Sequence, residues 1–583
     1  MESGSYPTSA RRCVLVMVFM ISVALPSSVW AQDPKGGSGS SAVRISPATS
    51  NPSSNEMAVL KEQLARQQEQ IEQLRLALEA VMRRLDQSGD TQRASTSTLP
   101  TLGQVASTTP MAPSGGIRAA EGGGSLVASA IAPPVVSSAP IRPQAEVSRP
   151  KSSPLSVQIG DAEFTPGGFL DFTTIFRSTD LGSGVASSFG TLPYSVVGGV
   201  PNPAGRMTEI RNFAQNSRLS LKATSKVGGS NITGYIEGDF AGNAASSLFV
   251  TSNSNTLRLR HYWVQLTRGK FEVLGGQSWT MMTPGRSGIS PTSSDVFISQ
   301  VEDSNYQLGI TWGRQSQFRM VYHPSKEWAL GMSVENPDQF ITNGVVLPGT
   351  NFNSEFNIGG NQTTTPNLHP DLNAKAAYDP TIGGKHMHAE VGGIIRSFKV
   401  FNSNNNSTST ITGGGVTAGI NFEVVKNFRL IANGFYSYGG GRYILGLGPD
   451  VIVKPDGTLS GVHSGSGVAG FEYQANPKIL IFGYYGGAYF QRNTGLTLDT
   501  SGKPVWVGFG APSSTSNQLN ANRAIQEPTF GVTRTFWKNP KYGALLWVNQ
   551  YSYATRAPWI VPSGSGKNAH LSIVYTDLRY VLP

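Results

Sequence analysis

The sequence of 583 residues predicts an all-β transmembrane barrel of about 16 antiparallel strands, preceded by an α-helical coiled coil and a disordered linker. Only 14% of the residues are charged, against about 25% in typical soluble proteins. The 67 glycines exceed the usual share, and polar and apolar residues alternate along many short segments. A helical membrane bundle would need repeated apolar runs of about 20 residues, which the sequence lacks.

Segment 1–31 has the parts of a secretory signal peptide. An arginine pair precedes the apolar stretch 14–25, and Ala31 is the predicted cleavage residue. The stretch is too short for a permanent membrane anchor. Because the only cysteine, Cys13, lies in this segment, we expect an exported mature chain without disulfides.

Three further segments precede the barrel. Residues 32–54 are rich in Gly, Ser and Pro and are predicted to be a flexible leader. In 55–88, apolar residues recur at spacings of three and four through four heptads, which is typical of a coiled coil that associates with itself, although packing on another domain is the alternative. Its core positions are Met57, Leu60, Leu64, Gln67, Ile71, Leu74, Leu78, Val81 and Leu85. Segment 89–160, rich in Ser, Thr and Pro, has no helical period and is predicted to be disordered.

The remaining segment, 161–583, consists of half-polar strands that suit either a soluble sandwich or a wall around a wet lumen. Connection lengths separate the two. Short turns are predicted at 226–230, 268–269, 323–327, 380–385, 425–427, 476–477 and 538–541. They alternate strictly with long connections at 178–214, 241–256, 280–314, 337–372, 399–412, 440–463, 491–526 and 554–567. This asymmetry is typical of outer-membrane barrels, which have tight periplasmic turns and large outer loops.

The count therefore gives 16 strands with both ends of the barrel domain in the periplasm. The stretch 306–312 also resembles a strand. An additional strand would make the number odd, so we assign this stretch to the long loop or to an extension of the next strand.

Five short motifs occur in the same order, and with similar spacing, as in a known family. They are QNSRL at 215–219, YIEGDF at 235–240, LRLRHY at 257–262, GQSW at 276–279 and VENP at 334–337. Over about 168–340 the chain thus resembles the DcaP-like porins. The resemblance implies a periplasmic coiled coil before a trimeric 16-stranded barrel, and passive uptake of small, often anionic molecules. Phosphate-selective porins are the alternative family, but a lysine-rich loop that would favour them is not evident.

Strand parity predicts which charged residues face the lumen. The cations are Arg177, Arg218, Lys222, Arg258, Arg260, Arg319 and Arg396, and the carboxylates are Glu237, Asp239 and Glu390. An arginine facing lipid at mid-bilayer would cost about 2–4 kcal/mol, which favours the lumen. Seven cations against three carboxylates should enrich anions inside the pore. The alternative is that these charges only solvate the wall or pair across strands.

Loop 280–314 follows the fifth strand, where general porins place the loop that narrows the channel. Its charged residues are Arg286, Asp295, Glu302, Asp303 and Arg314.

Other chemistry is weakly supported. His386, His388 and Glu390 share a strand face, but lumen histidines are common without a metal, and we predict neither a metal nor a cofactor. Glu237 and Asp239 resemble a glycosidase carboxylate pair, yet in a barrel we expect them to pair with arginines. With no convincing catalytic set, an enzyme is not expected. The net charge is +10, but the basic residues form no run of five or six. This distribution argues against nucleic acid as a partner.

The sequence thus predicts an outer-membrane porin, a passive channel for small hydrophilic solutes that prefers anions, with dicarboxylates as one class. The expected partners are two further copies in a homotrimer, outer-membrane lipid and the solutes themselves. The alternatives are a phosphate-selective porin and a structural anchor whose coiled coil binds a periplasmic or cell-wall partner.

Overall fold

The computed structural model describes residues 153–583, except 243–252, 293–299, 304, 343, 350–351, 353–354, 357–365, 500 and 513–519. The predicted signal peptide, leader and coiled coil, and the linker up to residue 152, lie outside the described residues.

Sixteen antiparallel strands form a closed sheet, because each strand pairs with the next and the last pairs with the first. The strands are β1 Ala162–Arg177, β2 in two segments Glu209–Phe213 and Arg218–Val227, β3 Ser230–Asp239, β4 Arg258–Arg268, β5 Phe271–Trp279, β6 Arg314–Tyr322, β7 Trp328–Glu335, β8 Asp371–Tyr378, β9 Lys385–Asn402, β10 Ser407–Val425, β11 Phe428–Tyr438, β12 His463–Asn476, β13 Ile479–Phe490, β14 Asn522–Asn539, β15 Gly543–Pro558 and β16 Ala569–Val581. Closure runs from the pair Phe169 and Val581 to the pair Arg177 and Ile573. The predicted 16-stranded antiparallel barrel is confirmed.

Shorter elements decorate both ends of the barrel. The short strands are Val157–Ile159, Val196–Val197, Val200–Pro201, Val345–Val346, Thr381–Ile382, Val451–Val453, Leu459–Gly461, Asn493–Leu498 and Pro504–Phe509, and the 3-10 helices are Phe189–Thr191, Pro203–Gly205 and Gly441–Tyr443. Among the described residues, no helix is long and apolar enough to cross a membrane.

One end of the barrel, the turn end, carries seven short connections. They are 228–229, 269–270, 323–327, 379–384, 426–427, 477–478 and 540–542, each at a position where the sequence predicts a turn. Gly228 and Gly229 both have positive φ angles, 53° and 78°, as a tight two-residue hairpin turn requires.

The opposite end, the loop end, carries the remaining connections. They are L1 178–208, L2 240–257, L3 280–313, L4 336–370, L5 403–406, L6 439–462, L7 491–521 and L8 559–568. L3 includes the strand-like stretch 306–312, since β6 begins only at Arg314.

The long connection predicted at 399–412 is wrong. β9 and β10 continue as a paired ladder up to Asn402 and Ser407, which leaves only the four residues of L5 between them. Above the pair Ile395 and Gly414 this hairpin has no further ladder with β8 or β11. A strand that rises above the membrane has no lipid-facing side, so its sequence loses the apolar alternation and reads as a polar loop.

The outer face of the barrel wall is apolar, and the interior of the barrel is filled by packed side chains. On β7, Leu330, Met332 and Val334 face outward, whereas Ser333 and Glu335 face inward and are buried. L1, L3, L4 and L6 contribute buried apolar side chains to one core inside the barrel, together with inward-facing residues of the wall such as those of β13 and β16. A wide aqueous lumen was expected from the strand number, but the loops occupy much of it because their apolar residues pack against each other.

Candidate functional site

L3 enters the barrel because its flanking strands are short. β5 and β6 have nine residues each, and their last ladder pair, Trp279 and Arg314, is where the loop begins and ends. Nearly all described residues from Gln300 to Trp312 are buried, so L3 lies inside the wall. This is the location predicted for the narrowing loop. Asp295, one of its predicted charged residues, lies outside the described residues.

The first attachment of L3 to the wall is a cluster of three carboxylates on one arginine, which we call the carboxylate latch: Asp171, Glu302, Asp577 and Arg579. The Arg579 guanidinium donates to Asp171 at 2.6 Å and to Glu302, and it lies 3.3 Å from Asp577. All four side chains are buried. Burial raises the pKa of Glu302 to about 7, opposed by Arg579 and reinforced by Asp171.

Backbone and neutral groups extend this attachment. The amide of Glu302 donates to Gln550 at 2.6 Å, and the hydroxyl of Tyr575 donates to Asp303 at 2.6 Å. Further along, the amide of Leu308 donates to Glu527 at 2.9 Å. Glu302 and Asp303, two charged residues of the predicted narrowing loop, are therefore buried as wall contacts.

The second attachment holds the segment 283–288 against the opposite wall. Arg286 forms a two-pronged ion pair with Glu472, at 2.6 and 3.0 Å. Burial lowers the pKa of Arg286, but Glu472 outweighs this effect and the pKa lies above its usual value. The amide of Gly285 donates to Glu390 at 3.1 Å, and Lys375 donates to the carbonyl of Thr283 at 2.8 Å. L3 therefore spans the interior between two polar attachments.

Two groups have the chemistry of metal ligands. Carboxylate oxygens of Asp171, Glu302 and Asp577 lie within 4.8 Å of one another, but the guanidinium of Arg579 already balances part of their charge. His388 uses both ring nitrogens, towards Asp379 at 2.8 Å and Glu390 at 3.2 Å. Both groups are therefore engaged in contacts within the protein.

An arginine cluster lines the wall beside L3; its members are Arg218, Arg258, Arg260 and Arg314, and its carboxylates are Glu237 and Asp239. Arg258 pairs with Asp239 at 2.8 Å. Arg260 bridges Glu237 at 2.8 Å and Asp239 at 2.9 Å, and Arg218 lies 3.4 Å from Glu237. Four guanidinium groups thus share two carboxylates, which leaves a local excess of positive charge.

Arg314 supplies most of that excess. The sequence places it in the loop, but it is the first residue of β6 and is half-buried. Its guanidinium lies 5.8 Å from the centroid of Trp279, as does that of Arg260, so the indole separates the two cations. Within the described part of the chain, no carboxylate lies within 4.0 Å of Arg314, and its Nη1 has no hydrogen-bond partner.

A β-bulge brings one more residue to the inner face of the wall, which strand parity does not predict. The register between β3 and β4 shifts between Glu237 and Gly238, so that Arg260 and His261 both point inward. His261 is fully buried and packs edge-on against Trp279 at 5.2 Å between ring centroids. No signal in the sequence of β4 marks the bulge, because Trp263 resumes the inward positions beyond it.

The other predicted lining residues differ in environment. Arg177 pairs with Glu209 at 2.7 Å, and Arg396 pairs with Asp371 at 3.1 Å and with Asp450 at 2.9 Å. Both arginines are fully buried beneath loops, and their role as pore-lining cations stays a prediction.

Two predicted cations remain. Arg319 donates to the carbonyl of Trp279 at 2.6 Å and to Gln317 at 2.9 Å, and it is buried. Lys222 shares the parity of Arg218 but is exposed to solvent near the turn end.

The predicted cationic surplus is smaller than the sequence count suggests. Six further carboxylates on the wall strands are buried: Asp171, Glu335, Asp371, Glu472, Glu527 and Asp577. The additional interior cations are Lys375, Arg556 and Arg579. The same two-residue alternation could have revealed these residues, since Asp171, for example, lies between outward-facing Leu170 and Phe172.

A small cavity of about 20 Å³ lies between the start of L3 and the wall. Arg319 and Lys375 provide its cations, and Trp279, Met281 and Ile289 provide apolar surface. Its lining is therefore cationic, but its size admits only about one water molecule.

Comparison with known proteins shows that this chain resembles solved structures, although no match is found by sequence. No family model and no curated protein sequence matches the chain. The outer membrane channel DcaP of Acinetobacter baumannii is similar in structure, with a TM-score of 0.52 and 18% identity over 73% of this chain and 99% of that chain. The anion-selective porin from Comamonas acidovorans has a TM-score of 0.41 and 12% identity over 72% of this chain and 100% of that chain. Pseudomonas putida OprB has a TM-score of 0.41 and 12% identity over 72% of this chain and 94% of that chain. Of these three structures, DcaP has a TM-score above 0.5, which shows that this chain shares the fold of that channel.

Proposed function

We propose that the protein is an outer-membrane porin that lets small hydrophilic solutes diffuse passively and prefers anions, with dicarboxylates as one class. The observation that carries this proposal is the arginine cluster beside L3, in which Arg314 has no carboxylate partner among the described residues. A cation held against an indole inside the wall attracts anions without being neutralised by the protein.

The geometry supports weak, reversible contact with a solute. Arg258 and Arg314 are half-buried and reach the interior, whereas Arg218 and Arg260 are buried behind them in ion pairs. A carboxylate passing this part of the wall would therefore meet the positive charge of two half-buried arginines on a rigid support. Channel selectivity requires such binding to be strong enough for entry and weak enough for release.

The proposal extends to assembly and location. We propose a homotrimer in the outer membrane, exported by the general secretory route, with the coiled coil 55–88 in the periplasm. The start of the described chain supports this arrangement, because Ser153 donates to the carbonyl of Pro583 at 2.9 Å near the turn end. The linker before it would then leave the barrel at the periplasmic side.

The substitution Arg314→Gln tests the anion preference. We expect the reversal potential of single channels in a tenfold KCl gradient to move towards the cation-selective direction, because the unpaired charge is lost. Lys503→Gln, an exposed cation on L7, is the matched control and should leave the potential unchanged. An Arg314→Gln channel with the wild-type reversal potential would refute the assignment. Charge reversal at Arg258 and Arg260 is less informative, since Arg260 is buried between two carboxylates.

Two further experiments distinguish the proposed function from two alternatives. Adding succinate or phosphate to the recording distinguishes a dicarboxylate channel from a phosphate-selective porin by which anion interrupts the current. Ser153, the first described residue, lies at the turn end, and this position also suits a structural anchor. If deletion of 55–88 leaves solute flux intact but weakens the cell envelope, anchoring is the primary role.

A further inference from the structure

Two arginines flank one indole on the outside of the barrel at the loop end; we call Arg492, Arg523 and Trp559 the rim clamp. Their guanidinium carbons lie 5.0 and 5.8 Å from the indole centroid. Arg492 follows the end of β13, Arg523 is the second residue of β14, and Trp559 directly follows β15. Three neighbouring strands therefore contribute one residue each.

The indole is held in place. Its Nε1 donates to the carbonyl of Phe490 at 3.1 Å, and the backbone amide of Trp559 donates to the carbonyl of Ala521 at 2.8 Å. A Cβ added to Gly510 would lie 2.9 Å from the indole ring, so that glycine permits the backbone of L7 to approach the ring closely. The two cations are thus positioned by a fixed aromatic surface.

Among the described residues, the clamp has no protein counter-charge. Within the described part of the chain, no carboxylate lies within 4.0 Å of Arg492 or Arg523, and both side chains are exposed. The neighbouring stretch 513–519, which is outside the described residues, contains neither Asp nor Glu. Both guanidinium groups lie over the same indole, which favours binding of an external anion, and guanidinium binds phosphate in a two-pronged geometry.

The surface directly below the clamp is apolar and faces outward. Tyr489 and Tyr485 on β13 are 49% and 54% exposed, and Phe530 on β14 is 50% exposed. In a transmembrane barrel, aromatic residues of this kind lie at the boundary between hydrocarbon and headgroups. Arg523 lies one residue beyond Ala524, the ladder partner of Tyr489, and hence at headgroup level.

We propose that the rim clamp binds the phosphate of a membrane-lipid headgroup, with the acyl chains lying along the aromatic surface below. Arg492 and Arg523 hold the phosphate oxygens, and Trp559 sets the spacing of the two guanidinium groups. This site lies outside the barrel and does not depend on conduction, so the proposed channel function and the lipid site can fail separately.

Native mass spectrometry of the full chain, purified in a neutral detergent and mixed with phosphatidic acid, tests the proposal. The double variant Arg492→Gln/Arg523→Gln should retain phosphatidic acid with roughly 25-fold lower apparent affinity, at about fivefold for each arginine near a membrane surface. Arg534→Gln is the matched control, because Arg534 also faces outward over an aromatic ring, Phe536 at 5.3 Å, but near the turn end. Circular dichroism checks that each variant is folded.

Each outcome decides the question. Loss of phosphatidic acid in the double variant, with retention in Arg534→Gln and little binding of phosphatidylcholine by the wild type, supports the proposal. Equal retention by the wild type and the double variant overturns it. Equal loss in Arg534→Gln also overturns it, since retention would then reflect general surface charge. Displacement of the lipid by millimolar inorganic phosphate would assign the clamp to a soluble anion and overturn the lipid assignment.

Discussion

Release of L3 from the carboxylate latch should depend on pH through Glu302. When L3 is docked, burial raises the pKa of Glu302 to about 7, whereas in water the same carboxyl titrates near 4.5. Between these two values the released loop loses the proton and the docked loop keeps it. Docking therefore weakens as the pH rises through this window, because deprotonation places a further buried negative charge beside Asp171.

The size of the effect follows from these two values. Between pH 5 and pH 8 the docking free energy should change by about 2–3 kcal/mol, or roughly 30- to 160-fold in the equilibrium. The substitution Glu302→Gln removes the titrating group but keeps the shape and the backbone bond to Gln550. The variant should therefore stay docked across this range.

Two measurements test this expectation. Hydrogen exchange at the amides of 300–312 should accelerate from pH 5 to pH 8 in the wild type, beyond the intrinsic pH dependence of exchange, and should not do so in Glu302→Gln. Single-channel recordings should show a matching rise in the occupancy of the higher-conductance state. Asp499→Asn, an exposed carboxylate of L7, serves as the control. The reasoning fails if the wild type shows no pH dependence in this window or if Glu302→Gln keeps it.

Four further outcomes are expected. Arg260→Gln leaves two buried carboxylates short of a partner and should lower the free energy of unfolding in urea by about 3–5 kcal/mol. Arg211→Gln, whose side chain is 47% exposed beside its carboxylate, should change it by less than about 1 kcal/mol; equal effects would contradict the burial argument. Gly168→Ala should reduce the yield of closed barrel on refolding, because the added Cβ would lie 2.1 Å from the carbonyl oxygen of Arg218 at a φ of +128°. At Gly160 no atom lies within 4 Å of an added Cβ, so Gly160→Ala should refold in higher yield than Gly168→Ala.

The wall could be predicted from the sequence because lipid imposes a pattern on it. Outward positions such as Leu330 and Met332 must be apolar, and tight turns such as Gly228-Gly229 need positive φ angles, so both leave a local signal. Strand number and turn positions followed from these signals. The upper part of β9 and β10 lies beyond the lipid and lacks this apolar alternation. Its sequence therefore predicts a loop, whereas the structure shows a hairpin.

The interior could not be predicted to the same depth, because its contacts join residues far apart in the chain. Arg579 meets Asp171 and Glu302 across separations of 408 and 277 residues, which a pattern of neighbours does not encode. The bulge beside His261 depends on pairing between strands and not on either strand alone. The charges were therefore assigned to the inner face by parity, but their mutual neutralisation emerged only from the folded structure.

The β9–β10 hairpin makes the rim of the barrel unequal in height. The seven residues of β9 above Ile395 extend about 23 Å along the strand, at about 3.3 Å per residue. The four-residue L5 at the tip is polar, and all four of its residues are exposed. A short epitope inserted at L5 would consequently stand clear of both lipid and pore, and antibody labelling of intact cells would then report the orientation of the barrel directly.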